Sequence, residues 1–213
     1  MAAKGLSLDK VTIALDGRVL LSLTRHVPPG SVLTVMGPSG AGKSSLLAYL
    51  GGFLDPAFSG HGRATVDGVE ITALPAEERR VGILFQDPLL FPHMSVGGNL
   101  AFALPETVKG RAKRVRHVDE ALGEVGLAGL AKRDPATLSG GQKARVALAR
   151  VLVSQPRMLL LDEPFSKLDM ELRQQMRQLV FSKARERGLP VLLVTHDEAD
   201  ADAAGGEVVR IGA

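Results

Sequence analysis

The sequence predicts an α/β protein whose parallel sheet is flanked by helices. Three apolar runs have the unbroken hydrophobicity of strands buried on both faces: VLTVMG (Val32 to Gly37), RMLLLDE (Arg157 to Glu163) and PVLLVTH (Pro190 to His196). A helical pattern follows each of them, at Lys43 to Leu50, Met170 to Arg187 and a short Asp197 to Ala203. Strand and helix thus alternate, and a sheet wound this way gathers function at the carboxyl ends of its strands.

In chain order, Leu6 to Arg25 alternate weakly around Asp16-Gly17, the signature of an antiparallel hairpin. VGILFQ (Val81 to Gln86) suits a fourth strand of the main sheet, with Gln86 at its end. Between about Gly97 and Pro135 strand signals disappear and the pattern turns helical. The expected division is therefore an α/β core with a β subdomain over 1–96 and 136–213, and an inserted helical lobe over 97–135. Gln142 to Val153 follow as a packed helix through Val146, Ala147, Leu148 and Val151, and the tail ADADAAGGEVVRIGA supplies one strand. No internal repeat, low-complexity tract or linker interrupts this order.

Composition narrows the chemistry. The 213 residues are 45% hydrophobic and 23% charged, ordinary for one large globular domain. A net charge of +3 is too small to argue for nucleic acid. The absence of cysteine excludes disulfides, thiolate nucleophiles and cysteine-ligated zinc. MAAKGLSLDK has no apolar signal region, and no stretch approaches the ~20 apolar residues that cross a bilayer. The expectation is a cytosolic protein that meets a membrane only through a partner.

GPSGAGKS (Gly37 to Ser44) satisfies G-x-x-x-x-G-K-[ST] between a buried strand and a helix, the context that gives the pattern its meaning. Glycines let backbone N–H groups turn inward around phosphates, and the helix start adds partial positive charge. The cradle runs through Gly37, Pro38, Ser39, Gly40, Ala41, Gly42, Lys43, Ser44 and Ser45. Lys43 is expected to reach the β- and γ-phosphates, and the Ser44 hydroxyl to ligate Mg²⁺.

LLLDE puts Asp162 and Glu163 at the end of an apolar strand. Asp162 would complete a magnesium shell through water, and Glu163 is placed to orient or deprotonate an attacking water. The alternative is an acidic pair capping the next helix. His196 ends another buried strand; such a histidine is often structural, but here the strand ends converge on one crevice. Gln86 can hold a metal-bound water while the following loop moves. Ser139-Gly140-Gly141 opens its helix with exposed amides, a second anion site or simply a glycine-rich helix start.

In this order and spacing the Gly37–Ser44 pattern, Gln86, LSGGQ, LLLDE with SKLD behind it, and His196 resemble the ATP-binding cassette ATPases over nearly the whole chain. The resemblance implies a P-loop NTPase (RecA-like) core with an N-terminal antiparallel β subdomain and an inserted helical signature lobe. It also implies two nucleotide domains closing head to tail, so that Ser139, Gly140, Gly141 and Gln142 of one copy cap ATP held by the other. Asp169 would cross that interface. Glu163 would serve the water, His196 the γ-phosphate, and Gln86 would link Mg²⁺ to the moving lobe. Within the family, VGILFQDPLLFPHMSVGGNL is similar to the separate ATPase subunits of bacterial importers, and DPATLSGGQKARVAL together with LLLDEPFSKLD to a short bacterial subgroup placed with thiamine-type importers. The implied partners are a second nucleotide domain, membrane permease subunits docking near Gln86–Met94 and, indirectly, an extracytoplasmic solute-binding protein. The implied location is peripheral, on the cytoplasmic side of the cell membrane.

Two departures stand out. The family usually stacks adenine on an aromatic residue near the end of the first hairpin, where this chain has Leu15. The loss of stacking, about 1–3 kcal/mol, predicts modest affinity and loose base selectivity. The tail after His196 is shorter than is usual in the family, and no regulatory domain is expected. LLFPHM (Leu89 to Met94) is apolar and suits either a docking groove or packing beneath the lobe, and KGRAKRVRH (Lys109 to His117) reads as a solvated helix face ahead of a lipid or nucleic-acid contact. A soluble cassette ATPase acting on nucleic acid or ribosomes is the alternative function. A small-molecule kinase or GTPase would leave LSGGQ and His196 without a role.

Overall fold

Asp16 and Gly17 carry positive φ angles of 50° and 77°, the pair that a two-residue primed hairpin turn needs. They join β1 (Leu6–Leu15) to β2 (Arg18–Val27) in a computed structural model that describes residues 4–212. The strands pair antiparallel from Leu15↔Arg18 to Leu6↔Val27. On the other side of β1 lies β4 (Phe58–Val66), followed by the two-residue β5 (Val69–Glu70), which completes a sheet of order β2-β1-β4-β5. Patterning does not announce β4: FSGHGRATV contains two glycines, and only Ala64 and Val66 near its end are fully buried.

The second sheet has the order β6-β7-β8-β3-β9. Its strands are β3 (Val32–Met36), β6 (Val81–Leu84), β7 (Met158–Asp162), β8 (Val191–Thr195) and β9 (Glu207–Arg210). All five residues of β3 and of β8 are buried, as their unbroken hydrophobicity requires. Parallel register sets Met36 beside Thr195 and Asp162 beside Val194. Gly37, Glu163 and His196 therefore leave the sheet at one edge. One expectation is corrected here: β6 stops at Leu84, so Gln86 lies two residues beyond the strand. Phe85 is already 38% exposed, and a chain that has left the buried sheet no longer holds strand geometry.

The helices are α1 (Lys43–Gly51), α2 (Val96–Ala103), α3 (Arg111–Glu124), α4 (Gly140–Val153), α5 (Met170–Glu186) and α6 (Glu198–Ala204). α4 starts two residues before the expected Gln142, because both glycines take helical geometry behind the Ser139 cap.

The chain divides into two compact units. One comprises the chain as far as Ile83, Arg157–Glu163 and everything from Phe181 on; the other is Leu84–Pro156 with Pro164–Val180, which includes 97–135 and extends beyond it. In the first unit a single apolar cluster joins Leu6 and Ile13 of β1, Leu33 and Val35 of β3, Leu46 and Leu50 of α1, and Leu160 and Leu192. Buried Arg79 closes the far end of α1: Nε donates to the Leu74 carbonyl at 2.8 Å, and one terminal nitrogen donates to the Tyr49 and Leu50 carbonyls at 2.6 and 3.0 Å. In the second unit α2, α3 and α4 pack on one another, and Leu100, Leu122, Val146 and Leu148 on these helices are fully buried. Among the described residues no helix is long and apolar enough to cross a membrane.

Candidate functional site

β3 delivers the chain into the glycine-rich loop and α1 takes it away. Gly40 and Gly42 sit at φ 81° and 83°, where a side chain is strained, and a Cβ on Gly42 would also come within 3.1 Å of Leu20. Gly42 caps α1 and has no side chain to satisfy the first amides, which leaves them for an acceptor from outside. Lys43 is 7% exposed, and its ammonium donates to the Gly37 and Pro38 carbonyls, both at 2.8 Å. A buried cation held only by carbonyls, beside uncapped helix amides, is matched to a polyanion.

Ser44 Oγ donates to Asp162 Oδ1 at 3.1 Å, which brings together two residues more than a hundred positions apart. Burial pushes the Asp162 carboxyl above its ordinary pKa, with Glu163 adding to the rise; the Ser44 hydrogen bond and the Lys43 charge oppose it. A hydroxyl and a carboxylate oxygen side by side are hard donors of the kind magnesium prefers, and a partly desolvated carboxylate gains from a cation. Ser44 and Asp162 fit Mg²⁺.

Glu163 Oε1 lies 3.0 Å from His196 Nδ1, with the glutamate side chain 27% and the histidine 65% exposed. Glu163 has φ 45°, and its N–H donates to the Val194 carbonyl at 3.0 Å. The turn that carries His196 is fixed from within. Thr195 Oγ1 donates to the buried Asp200 carboxylate at 2.9 Å and accepts from the Asp197 N–H at 3.0 Å, while Asp197 caps α6. Sequence reasoning placed Glu163 and His196 at one edge but missed their direct contact and overlooked Asp200, because neither leaves a periodic signal.

The first unit thus brings together the loop Gly37–Ser45, Asp162, Glu163 and His196. Leu15, the last residue of β1, belongs to it as well, partly buried, with Phe58 its cross-strand neighbour.

Gln86, Ser139 to Gln142 and Asp169 belong to the second unit. Ser139 caps α4 in a reciprocal box: its hydroxyl accepts from the Gln142 N–H at 3.3 Å, and its own N–H donates to Gln142 Oε1 at 3.1 Å. The two glycines differ. A Cβ on buried Gly141 would lie 2.5 Å from Leu172, whereas one on exposed Gly140 would meet nothing within 4 Å. Close packing demands the second glycine; the first leaves bare backbone facing outward at a helix start. Asp169 is exposed and caps α5, accepting from the Leu172 N–H at 3.0 Å. Exposed Gln86 neighbours Asp87, whose two carboxylate oxygens pair with Lys167 at 2.6 and 2.7 Å.

A parallel sheet whose edge carries a glycine-rich loop, a buried lysine, a serine–aspartate pair and a glutamate–histidine pair defines a P-loop nucleoside triphosphatase. The profile of the ABC transporter family matches residues 20–166, and the chain belongs to that family as one of its ATP-binding ATPases. It is 50% identical over 188 residues to an uncharacterized ABC transporter ATP-binding protein of Escherichia coli, covering 88% of this chain and 86% of that one. It is 43% identical over 187 residues to a thiamine import ATP-binding protein of Jannaschia, covering 88% and 80%. An ATP-binding cassette solved as a dimer in a post-hydrolysis state with ADP and Pi superimposes with a TM-score of 0.78 at 29% identity, covering 97% and 94%. Ferric-ion import ATP-binding proteins among the relatives are longer, and the chain spans 52% of their length.

Proposed function

We propose that the chain powers solute import across a membrane as the ATPase subunit of a transporter, with two copies closing head to tail around ATP. The observation that carries this reading is the outward-facing Gly140 at a capped helix start, an anion-ready surface that the chain's own glycine-rich loop does not need. In the closed dimer Lys43 and the amides of Gly40 to Ser45 hold the triphosphate of one copy, and Ser139, Gly140, Gly141 and Gln142 of the other cover its γ-phosphate. Glu163 orients the water for in-line attack and takes its proton, and His196, bonded to Glu163, steadies the carboxylate and the γ-phosphate oxygen. Ser44 and Asp162 would hold Mg²⁺, which would supply positive charge against the phosphates, and Gln86 is the further ligand the family resemblance implies. Asp169, on the exposed start of α5, aligns the two sites across the interface. ATP supports closure, and loss of phosphate removes the ligand that distinguishes closed from open.

Import is supported by what relatives are named for, thiamine and ferric-ion import. The docking surface for permease subunits lies around Gln86–Met94, where Leu89 is 57% exposed. A groove of about 570 Å³ lined by Ala101, Val115 and Val118 offers apolar surface in the same unit, and Val115 is exposed there. The chain would then be peripheral, on the cytoplasmic side, with a solute-binding protein acting through the permease. The test is Glu163→Gln: it is expected to bind ATP, lose turnover and run as a dimer with saturating Mg²⁺-ATP on light-scattering chromatography. Monomers alone under those conditions would overturn the reading.

A further inference from the structure

Arg150 is in the last turn of α4, where an arginine ordinarily turns to its own helix's carbonyls or to water. Here the guanidinium leaves the helix and holds another segment. One terminal nitrogen donates to the Leu89 carbonyl at 2.8 Å, the other to the Pro88 carbonyl at 3.0 Å, and Cζ sits over the Phe91 ring, 5.4 Å from its centre. None of these partners is a carboxylate, and burial pushes the arginine's pKa down. The same segment is gripped a second time by fully buried Asn99 on α2. Its Oδ1 accepts from the Phe91 N–H at 2.8 Å, and its Nδ2 donates to the Phe91 and Ser95 carbonyls, both at 3.1 Å. Leu89, held through its carbonyl, has φ 45° and is 57% exposed.

α4 therefore has a role at each end. Its start presents Gly140, and ten residues on, about 15 Å along the axis, Arg150 holds the segment Pro88–Met94. We infer that Arg150 is a positioning residue that makes Pro88–Met94 move as one body with α4, so that engagement of Gly140 by a second copy's nucleotide is delivered to the docking segment. This rests on the dimer reading above. The grip requires a planar fork, because the cation must sit over Phe91 while two separate nitrogens meet two carbonyls; a lysine has a single nitrogen to place.

The test is hydrogen–deuterium exchange with and without Mg²⁺-ATP on E163Q and on the double variants E163Q/R150K and E163Q/R150M. In E163Q, ATP is expected to slow the amides at 140–143 about tenfold and to change those at 89–94 in step. With R150K the slowing at 140–143 persists while the response at 89–94 falls at least about threefold. R150K keeps the charge and stem, so its melting curve together with the 140–143 response shows an intact fold should R150M unfold. An undiminished response at 89–94 in R150K overturns the positioning role alone. No response at 140–143 in E163Q itself overturns the dimer reading and the positioning role with it.

Discussion

Alanine at Gly140 and alanine at Gly141 are chemically the same change one residue apart, and the structure separates their effects. At Gly141 the new methyl would lie 2.5 and 2.6 Å from the two Leu172 methyls, so the leucine must rotate or α4 must shift. Overpacking of that size costs about 1–3 kcal/mol, offset by the roughly 0.5–1 kcal/mol that alanine gains over glycine in a helix. A net loss of about 1 kcal/mol is expected. At Gly140 nothing lies within 4 Å, so only the helix gain remains and stability is unchanged or slightly raised. Turnover should show the reverse emphasis. In the proposed dimer a methyl on Gly140 stands where the second copy's triphosphate approaches bare backbone, and a loss of about 1.4 kcal/mol in that contact would lower kcat/KM tenfold. Urea unfolding followed by far-UV circular dichroism and phosphate release are the two assays. A Gly140→Ala protein that folds normally and turns over at the wild-type rate would refute the assigned role, and equal stability of the two variants would refute the packing account.

Asp162→Asn removes a carboxylate that burial holds above its usual pKa. Such a group favours the folded state when protonated, so its contribution is best below its unfolded pKa and is lost as pH rises through the folded one. The asparagine variant should therefore melt higher than wild type at pH 7 without nucleotide, lose that advantage near pH 3, and fail to be stabilised by Mg²⁺-ATP; calorimetry across pH reads all three. Arg79→Met takes the Arg79 donor from the Leu50 and Leu74 carbonyls and leaves the Tyr49 carbonyl with the Gly52 N–H, and is expected to cost about 2–4 kcal/mol in urea, with a loss below about 1 kcal/mol counting against the account. Wild type should bind GTP within about tenfold of ATP, and Leu15→Tyr should tighten ATP by roughly tenfold through stacking, both read by competition with a fluorescent nucleotide.

Much of the first unit was legible because its signals are local. The unbroken runs at β3, β7 and β8 can be little else than strands buried on both faces, and Asp16-Gly17 names its own turn. The glycine-rich loop is legible for the same reason: its chemistry is backbone chemistry, written in consecutive residues. What escaped is tertiary. β4 depends on β1 as a template, with glycines where apolar residues would have marked it. Gln86 looked like a strand end because VGILF stays hydrophobic past Leu84, although Phe85 turns outward. Contacts such as Thr195–Asp200 and Arg150 with the Leu89 carbonyl join residues whose spacing carries no pattern, and only the folded chain assembles them.

Glu163 holds its backbone at φ 45°, a region that residues with a Cβ enter at a cost of about 1–2 kcal/mol. Its carboxylate is thus presented by a conformation that glycine would adopt more cheaply, and asparagine nearly so. Laboratory evolution of this chain for heat resistance alone would favour abandoning the acid at that position. Given the role proposed for Glu163, a campaign to harden the protein must score phosphate release in every round, or it will select molecules that survive and do nothing.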